Sequence, residues 1–525
     1  MLPFAITPSP ADASPPHRVT PVELTRPPAV AVIGAGFSGT LLALHLLRRC
    51  PDPVRIHLIE RSPRFGRGLA YSTGNLNHVL NVPTSRMSAF HDRPDDFLDW
   101  LRAEGGIAAA VTPHCFVARK VFGDYVRHHL KEEFRRAAGR RGRLVLTRGE
   151  VLDLRVARSG ITLDIDRDRR IEADIAVLAV GNVPPEPPPI ADRRFYDSAR
   201  YRPDPWAADA LTGLDPDDAV MLIGTGLTMV DTVVSLLDRG HRGPIHALSR
   251  RGLLPRRHAA APSPAGALIE RPLPTTAAGL TRVLREEIAA LAAQGGDWRT
   301  VIDGLRPATQ DIWQAMPAEE RARFIRHLRP WWDVHRHRMP PEVADRIEAA
   351  IARGQLTTAA TRIRRLEAVP AGVEVAHQPR GRGPLRHLVV QRVINCSGPG
   401  CDYDRIADPL VRALLARGDI RPDRHRLGLD VSTSCALRNR HGEIWQRFYA
   451  VGPVTRPAFW EVTSVPDIRR QCEALAAHLA ARLASARPGH AEAAALRQPA
   501  PAVAEDDDGR VLPLCDEFAD HAHWA

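Results

Sequence analysis

Two stretches of the chain repeat one pattern of apolar and polar positions. In the first, the wholly apolar run AVAVI (residues 29–33) ends in glycines and leads into FSGTLLALHLLRR, whose apolar residues recur at helical spacing. A second apolar run, VRIHLIE, comes next. In the other stretch, AVMLIGTGLTMVDTVVSLLDRG (219–240) leads to IHALSRRG (245–252). Short apolar runs bounded by glycine predict buried parallel strands, and right-handed crossover helices return the chain between them. No other part of the sequence repeats this way. The pattern therefore predicts an α/β protein with two Rossmann-type dinucleotide-binding domains.

The remaining pattern assigns the rest of the chain. Proline-rich GNVPPEPPPI (181–190) separates the two units. Helical periodicity fills 275–352, in LTRVLREEIAALAAQ, EERARFIRHLRPWWDVHRHR and EVADRIEAAIARG. Alternating runs predict strand pairs, RLVLTRGEVLDLRV with ITLDID, then EAVPAGVEVAHQ with RHLVVQRVINCSG. The expected order is a disordered leader (1–27), a first part of one domain (28–200), a second domain (215–395) with a helical insertion (275–352), the rest of the first domain (396–486), and a mostly flexible tail (487–525). The leader and tail rest on proline- and alanine-rich composition without periodicity.

At 525 residues, 44% of them hydrophobic, the chain is long enough for several cores. The net charge of +11 comes almost wholly from arginine, since Lys120 and Lys131 are its only lysines. Those arginines are scattered through every element, and aromatics make up only 5%, so the charge does not resemble a nucleic-acid footprint. Seven irregularly spaced cysteines make no disulfide framework. No secretory leader or membrane-length apolar run is visible, and a cytoplasmic location is expected.

The glycine loops carry the chemistry. Gly34, Gly36 and Gly39 form G-x-G-x-x-G between strand and helix. The first glycine permits the tight turn, the second lets backbone approach a diphosphate, and the third lets helix and strand pack closely. The helix N-terminus adds unsatisfied N–H groups and positive potential, and Ser38 adds a hydroxyl. Glu60 ends the next strand, where a carboxylate accepts from ribose hydroxyls. In the second loop Gly224, Thr225 and Gly226 repeat the turn, but Met229 replaces the third glycine. Its strand ends in Ser249, Arg250 and Arg251 instead of an acid, which favours a ribose 2′-phosphate and hence NADPH.

The segments GRGLAYSTGNLNHVLNVPTSRMSAFHDRPDDFLDWL (66–101), FVARKVFGDYV (116–126), GTGLTMVD (224–231) and RPWWDVHRHRMPP (329–341) together resemble a bacterial family of FAD/NAD(P)-binding proteins. That family is related to FAD-dependent urate hydroxylases and aspartate N-monooxygenases, and more distantly to lysine and ornithine N-hydroxylases. The resemblance spans about residues 29 to 480. It implies that Gly34, Gly36, Ser38, Gly39 and Glu60 hold the ADP half of FAD, and that Val151 meets the adenine through its backbone. It implies that Asn81, Val82 and Pro83 pass close to the isoalloxazine, and that Arg119 lies near flavin or nicotinamide phosphates. Gly181 (in VLAVGN) and Gly398 (in VINCSGPG) resemble the motifs that close each module. Gly452 and Pro453 would lie by the ribityl chain, with the helix near Ser464 aimed at the flavin O2 region.

Other candidates read more plainly. Cys396 and Cys401 have C-x4-C spacing but stand at a late strand end, so they read as inert thiols. His327, His335 and His337 lack the carboxylate or cysteine of a familiar metal site, and no metal is expected. Trp331 and Trp332 read as core, while Trp460 is left open between core and pocket wall. The resemblance implies a flavin monooxygenase that takes hydride from NADPH and hydroxylates a small polar substrate with O2 through a flavin C4a-(hydro)peroxide. A reductase serving another acceptor and a non-catalytic redox- or nucleotide-sensing protein are the alternatives. No side chain is assigned as acid or base, no membrane or nucleic-acid partner is expected, and the oligomeric state is open.

Overall fold

The computed structural model describes residues 27–50, 53–104, 111–138, 143–157, 159–259, 272–381, 383–485, 504–505 and 511–512. The expected leader and tail lie almost entirely outside these residues. Pro27–His478 form one compact unit. Leu479–Ser485, at the end of the final helix, and a short pairing of 504–505 with 511–512 lie outside that unit.

The first module begins with β1 (Ala29–Ile33), α1 (Phe37–Arg49) and β2 (Arg55–Glu60). After α2 (Asp96–Glu104) and α3 (Arg119–Ala138) come β3 (Leu144–Arg148), a meander of β4 (Val151–Val156), β5 (Ile161–Ile165) and β6 (Arg169–Ala173), and then β7 (Ile175–Leu178). The second module contains β8 (Tyr201–Arg202), β9 (Val220–Ile223), α4 (Leu227–Asp238) and β10 (Ile245–Ser249). Its helical insertion is α5 (Ala277–Ala293), α6 (Trp298–Gly304), α7 (Thr309–Ala315), α8 (Ala318–Arg323), a π-helical turn (Phe324–Leu328), α9 (Arg329–Arg336) and α10 (Pro341–Ala352). The module finishes with β11 (Leu356–Val369), β12 (Gly372–Pro379), β13 (Arg386–Val390) and β14 (Arg392–Asn395). The chain then adds α11 (Pro409–Arg417), β15 (Ala436–Arg438), β16 (Ile444–Ala450) and α12 (Val465–Ser485).

Two sheets result. The first runs β15-β16-β7-β1-β2-β3, and every pairing from β16 to β3 is parallel. The second runs β13-β12-β11-β10-β9-β14-β8, parallel from β11 to β8 and antiparallel at the β12–β13 end. All five residues of β1 and all four of β9 are buried, as strands covered on both faces must be. α1 buries Phe37 through Leu47 and exposes only Arg48 and Arg49, which explains why apolar residues occur on every face of it.

Two expected strand pairs are drawn differently. RLVLT joins the parallel sheet beside β2, and only VLDLRV pairs with ITLDI, in a three-stranded meander. The alternation in both pieces is alike, but Gly149 breaks the run: its N–H donates to Glu60 O at 2.9 Å, and it has no room for a side chain. In RHLVVQRVIN the break is Gln391. RHLVV stays on the antiparallel edge, while RVIN lies between β9 and β8. The Gln391 side-chain carbonyl accepts from Ala219 N–H at 2.7 Å and turns the chain inward.

Candidate active site

The two glycine loops are built alike. Gly34 N–H donates to Ile59 O, and Gly224 N–H donates to Leu248 O, both at 2.8 Å. Gly34 and Gly224 have φ of +104° and +112°, and a Cβ on either would strike a backbone carbonyl, Ala179 O in one module and Cys396 O in the other. The strand end of each module is thus what the first glycine packs against. Gly181 and Gly398 follow these strand ends, both with positive φ and open space where a Cβ would stand. The crossings between modules run side by side there, with an antiparallel bridge from Val183 to Gly400.

The loops differ at the later glycines. A Cβ on Gly39 would overlap Gly34 O, so α1 lies as close to its strand as backbone permits. Met229, at the corresponding place, is fully buried in the core between α4, α10 and the second sheet. Around Gly226 nothing lies within 4 Å of a Cβ position, so the backbone is open to a diphosphate. Around Gly36 the one neighbour is Gly68, whose Cα lies 3.5 Å from such a Cβ. Gly66 N–H donates to Ala35 O at 2.8 Å, which holds this GRG strap on the first loop. The strap was legible as part of a distinctive segment, but its place over the loop was not.

Glu60 is half-buried at the end of β2, its carboxylate accepting from Ala35 N–H at 2.9 Å and Ser62 N–H at 3.0 Å. These two bonds leave lone pairs for further donors and hold the group beside the loop. Val151 begins β4 two residues beyond Gly149, which itself bonds Glu60 O. Ser38 is buried in the first turn of α1, and Gly452 lies so close that a Cβ there would meet Ser38 Oγ. The Gly452–Pro453 turn is pinned by Gln471 of α12, whose Oε1 accepts from Gly452 N–H at 2.8 Å and whose Nε2 donates to Thr455 Oγ1 at 2.7 Å. Gly34, Gly36, Ser38, Gly39, Glu60 and Gly452 therefore converge although they come from opposite ends of the unit.

At the second loop, Thr225 Oγ1 lies 2.9 Å from Ser249 Oγ and donates to Leu253 O at 2.6 Å, joining the glycine turn to the end of β10. Arg250 is exposed, and Arg251 donates to Arg326 O at 3.2 Å. Among the described residues neither guanidinium meets a carboxylate, so both charges are free for an anion.

Asn81, Val82 and Pro83 lie on a half-buried segment between the modules. His258 Nε2–H donates to Asn81 O at 3.1 Å, and the His258 ring lies 5.0 Å from that of Phe116. Burial, then Arg338, push His258 down from 6.5 to about 4. Burial, then Arg48 and Arg49, do the same to His45. Both pKa values are depressed in the fold, so between pH 6.5 and 4 the unfolded chain takes up protons that the folded chain refuses. Stability is complete above pH 6.5 and falls as pH drops towards 4, by up to about 1.4 kcal/mol per pH unit for each histidine. Melting temperature measured from pH 7.5 to 4.5 should fall across that window, and His258→Gln should flatten the fall. A profile that is flat in the parent protein would contradict the placement of both rings.

The helical insertion docks on the loop that follows Gly452–Pro453. Arg306 donates to Ser464 Oγ at 2.7 Å and meets Asp467 at 3.1 Å. Arg336 meets Glu461 at 3.0 Å, with both side chains at least nine-tenths buried, and Trp332 Nε1–H donates to the other Glu461 oxygen at 2.5 Å. Trp313 stacks on Trp460 with ring centres 4.6 Å apart, and its indole N–H donates to Pro457 O. Trp460 is therefore core of this junction and Trp332 is tied into it as well, whereas Trp331, expected as core beside it, is exposed because it lies on the outer face of α9. Burial pushes the Asp467 carboxyl up, but Arg306, Ser464 and Arg470 outweigh it and hold the group below the usual range. Glu461 has φ of +66°, a strained conformation for a non-glycine residue that its buried partners maintain. The Glu461 and Asp467 anchors carried no signal in the sequence.

The remaining side chains are bystanders. Cys396 is buried against Thr232 Oγ1 at 3.3 Å and its thiol is pushed up to about 12 by burial, so it is an inert thiol. Among the described residues no three His, Cys, Asp or Glu side chains cluster as metal ligands, and no helix is long and apolar enough to cross a membrane.

Residues 31–183 match the model of a protein family described as FAD-NAD(P)-binding. No curated protein sequence matches the chain. Among solved structures, an ornithine N-hydroxylase from Kutzneria sp. 744 is similar at 14% identity, over 87% of this chain and 100% of its own, with a TM-score of 0.61. Ornithine hydroxylase from Pseudomonas aeruginosa is similar at 15% identity over 87% and 100%, with a TM-score of 0.59. The desferrioxamine-pathway cadaverine monooxygenase of Erwinia amylovora, bound to FAD, is similar at 12% identity over 93% and 99%, with a TM-score of 0.58. This chain shares the two-sheet α/β fold of those hydroxylases and carries an FAD-NAD(P)-binding family region within it.

Proposed function

We propose that this protein is an FAD-dependent, NADPH-using monooxygenase that hydroxylates a small polar substrate. The observation that carries the proposal is the pairing of two like-built dinucleotide loops with an insertion clamped, by Arg306–Asp467 and Arg336–Glu461, onto the turn that leaves Gly452. Bound flavin would supply the two-electron chemistry and, once reduced, the reaction with O2. The chain's own part is to bind, orient and keep water out. Gly36, Gly39 and the α1 N-terminus would take the FAD diphosphate, Glu60 its ribose, and Gly452–Pro453 the ribityl side. Gly226 and the α4 N-terminus would take the NADPH diphosphate, with Arg250 and Arg251 on the 2′-phosphate. The expected kinship with urate hydroxylases and aspartate N-monooxygenases belongs to the same proposal. So does an amine-bearing substrate like those named for the ornithine and cadaverine enzymes.

The deciding experiment measures NADPH, O2 and oxygenated product together, with candidate amines, amino acids and purines as substrates. One product per NADPH and per O2 supports the monooxygenase. Rapid electron transfer to a quinone or disulfide, with no product, would replace it by a reductase. A flavin that NADPH never reduces would leave a sensing protein. Arg250→Ala and Arg251→Ala should each weaken NADPH use by roughly 1.5–3 kcal/mol, about tenfold to a hundredfold, and leave NADH use nearly unchanged. Equal loss with both cofactors would show that these arginines do not read the 2′-phosphate.

A further inference from the structure

A row of polar contacts joins segment 73–83 and the start of α3 to the flank of α4. Arg119, the first residue of α3, pairs with Asp231 at 2.8 Å, and the two side chains are only 17% and 10% exposed. Its Nε–H donates to Val79 O at 3.2 Å. His78 Nε2 lies 2.8 Å from Ser235 Oγ and 3.0 Å from Asp231 O, while its Nδ1 lies 2.8 Å from Thr73 Oγ1. Asn75 Nδ2–H donates to Asp238 at 2.7 Å. Trp206 closes the row, 5.7 Å from the His78 ring and 5.9 Å from the Arg119 guanidinium. Asp231, Ser235 and Asp238 lie about one helical turn apart, so a single face of α4 is held along its length.

The two elements so joined are the ones whose spacing matters for electron transfer. α4 follows directly on Gly226, where the backbone is open to a diphosphate, and segment 73–83 ends at Asn81–Pro83. A shielded ion pair contributes little net stability, but its best-attested use is to fix registry. Resting on the reading of two bound dinucleotides, we propose that Arg119 and Asp231 are positioning residues. They hold the NADPH-binding helix in one register against the 73–83 segment, so that the nicotinamide reaches the flavin without rotation of the second module. Hydride then carries two electrons from the nicotinamide to the flavin, which takes a further proton from solvent. Arg119 is thereby committed to a carboxylate, in contrast to the phosphate role that the family resemblance implies for it.

The test is anaerobic rapid mixing of the FAD-loaded protein with NADPH, using Arg119→Gln, Asp231→Asn, the double variant and Arg119→Lys. At saturating NADPH the rate of flavin reduction should fall roughly a hundredfold in the first three, the scale of a reacting pair misplaced by about 1 Å. Binding of NADP+, FAD content and reduction by dithionite, which needs no register, should stay near the parent values. Arg119→Lys should recover part of the rate, because it keeps the charge and loses the fork. The double variant leaves no stranded charge, so it separates lost register from lost folding. Unchanged reduction in all variants overturns the proposal. NADP+ affinity falling by the same factor as the reduction rate, or dithionite reduction slowing equally, overturns it too, in favour of a phosphate ligand or a disturbed flavin site. A parent protein that NADPH does not reduce overturns the two-dinucleotide reading first, and the positioning role with it.

Discussion

Gly39→Ala should yield protein that folds but loses its flavin on desalting. The added Cβ would overlap Gly34 O and press on Ala179 Cβ, and the first of these is backbone that no rotamer can move. α1 must therefore lift from the sheet, at a cost of about 1–3 kcal/mol for overpacking. That is a modest fraction of a domain's stability, so the chain still folds. The helix N-terminus moves with it, however, and the N–H groups that would face the diphosphate lose their aim. Retention of FAD should drop by at least about a hundredfold, read from the ratio of flavin to protein absorbance and from titration with FAD. Gly226→Ala is the contrasting variant. Nothing stands within 4 Å of its Cβ position, so it should fold without strain, keep FAD and lose affinity for NADP+. Full flavin occupancy in Gly39→Ala would refute the assignment of the first loop, and loss of flavin in Gly226→Ala would refute that of the second.

Arg336→Ala should convert most NADPH consumption into hydrogen peroxide. Removing the guanidinium leaves the Glu461 carboxylate buried at 5% exposure with Trp332 as its remaining partner, a change that costs about 3–5 kcal/mol. The strained backbone at Glu461 loses its main restraint at the same time. The cheapest relief is to lift α9 from the turn around Glu461, because that junction is held by side-chain contacts rather than by a shared sheet. An opened junction admits water to the site that the proposed chemistry needs dry, while the Gly224–Gly226 turn stays tied to Ser249 and Leu253 and Arg251 loses at most its bond to Arg326 O. Flavin reduction should therefore continue at near the parent rate as product per NADPH falls and peroxide per NADPH rises towards one. Arg306→Ala should act in the same direction through Asp467. Coupling that survives in both variants would show that the insertion does not close the site.

How far the sequence carries depends on how local the physics is. The two strand–glycine–helix units were legible, because turn, helix start and buried strand are encoded within about 25 residues and need no distant partner. Glu60 was legible for the same reason. The helical nature of 275–352 followed from periodicity, but its docking partners did not. Glu461 and Asp467 sit more than a hundred residues from Arg336 and Arg306, one in the turn after β16 and the other in the first turn of α12, and nothing in their local sequence names those partners. Arg119 shows the limit most clearly. A basic residue at a helix start resembles a phosphate ligand until Asp231, on a different module, is found across from it at 2.8 Å. The runs that continue past Gly149 and Gln391 share this cause: one half of each pairs as expected and the other half joins a parallel sheet. Alternation reports which residues are buried, and says nothing about which strand buries them.

The parallel pairing of β16 with β7 also sets an order of events at the ribosome. β7 ends at Leu178, and the strand that covers its open side begins only at Ile444. At about 5–20 residues per second, that side of the first sheet waits on the order of ten seconds to a minute for its neighbour. The whole of the second sheet, from Tyr201 to Asn395, emerges in the interval and can pair within itself. The nascent chain thus completes its inner module first, and the outer one, whose turn at Gly452 arrives still later, can assemble its glycine-loop site only after nearly the entire compact unit has been synthesised.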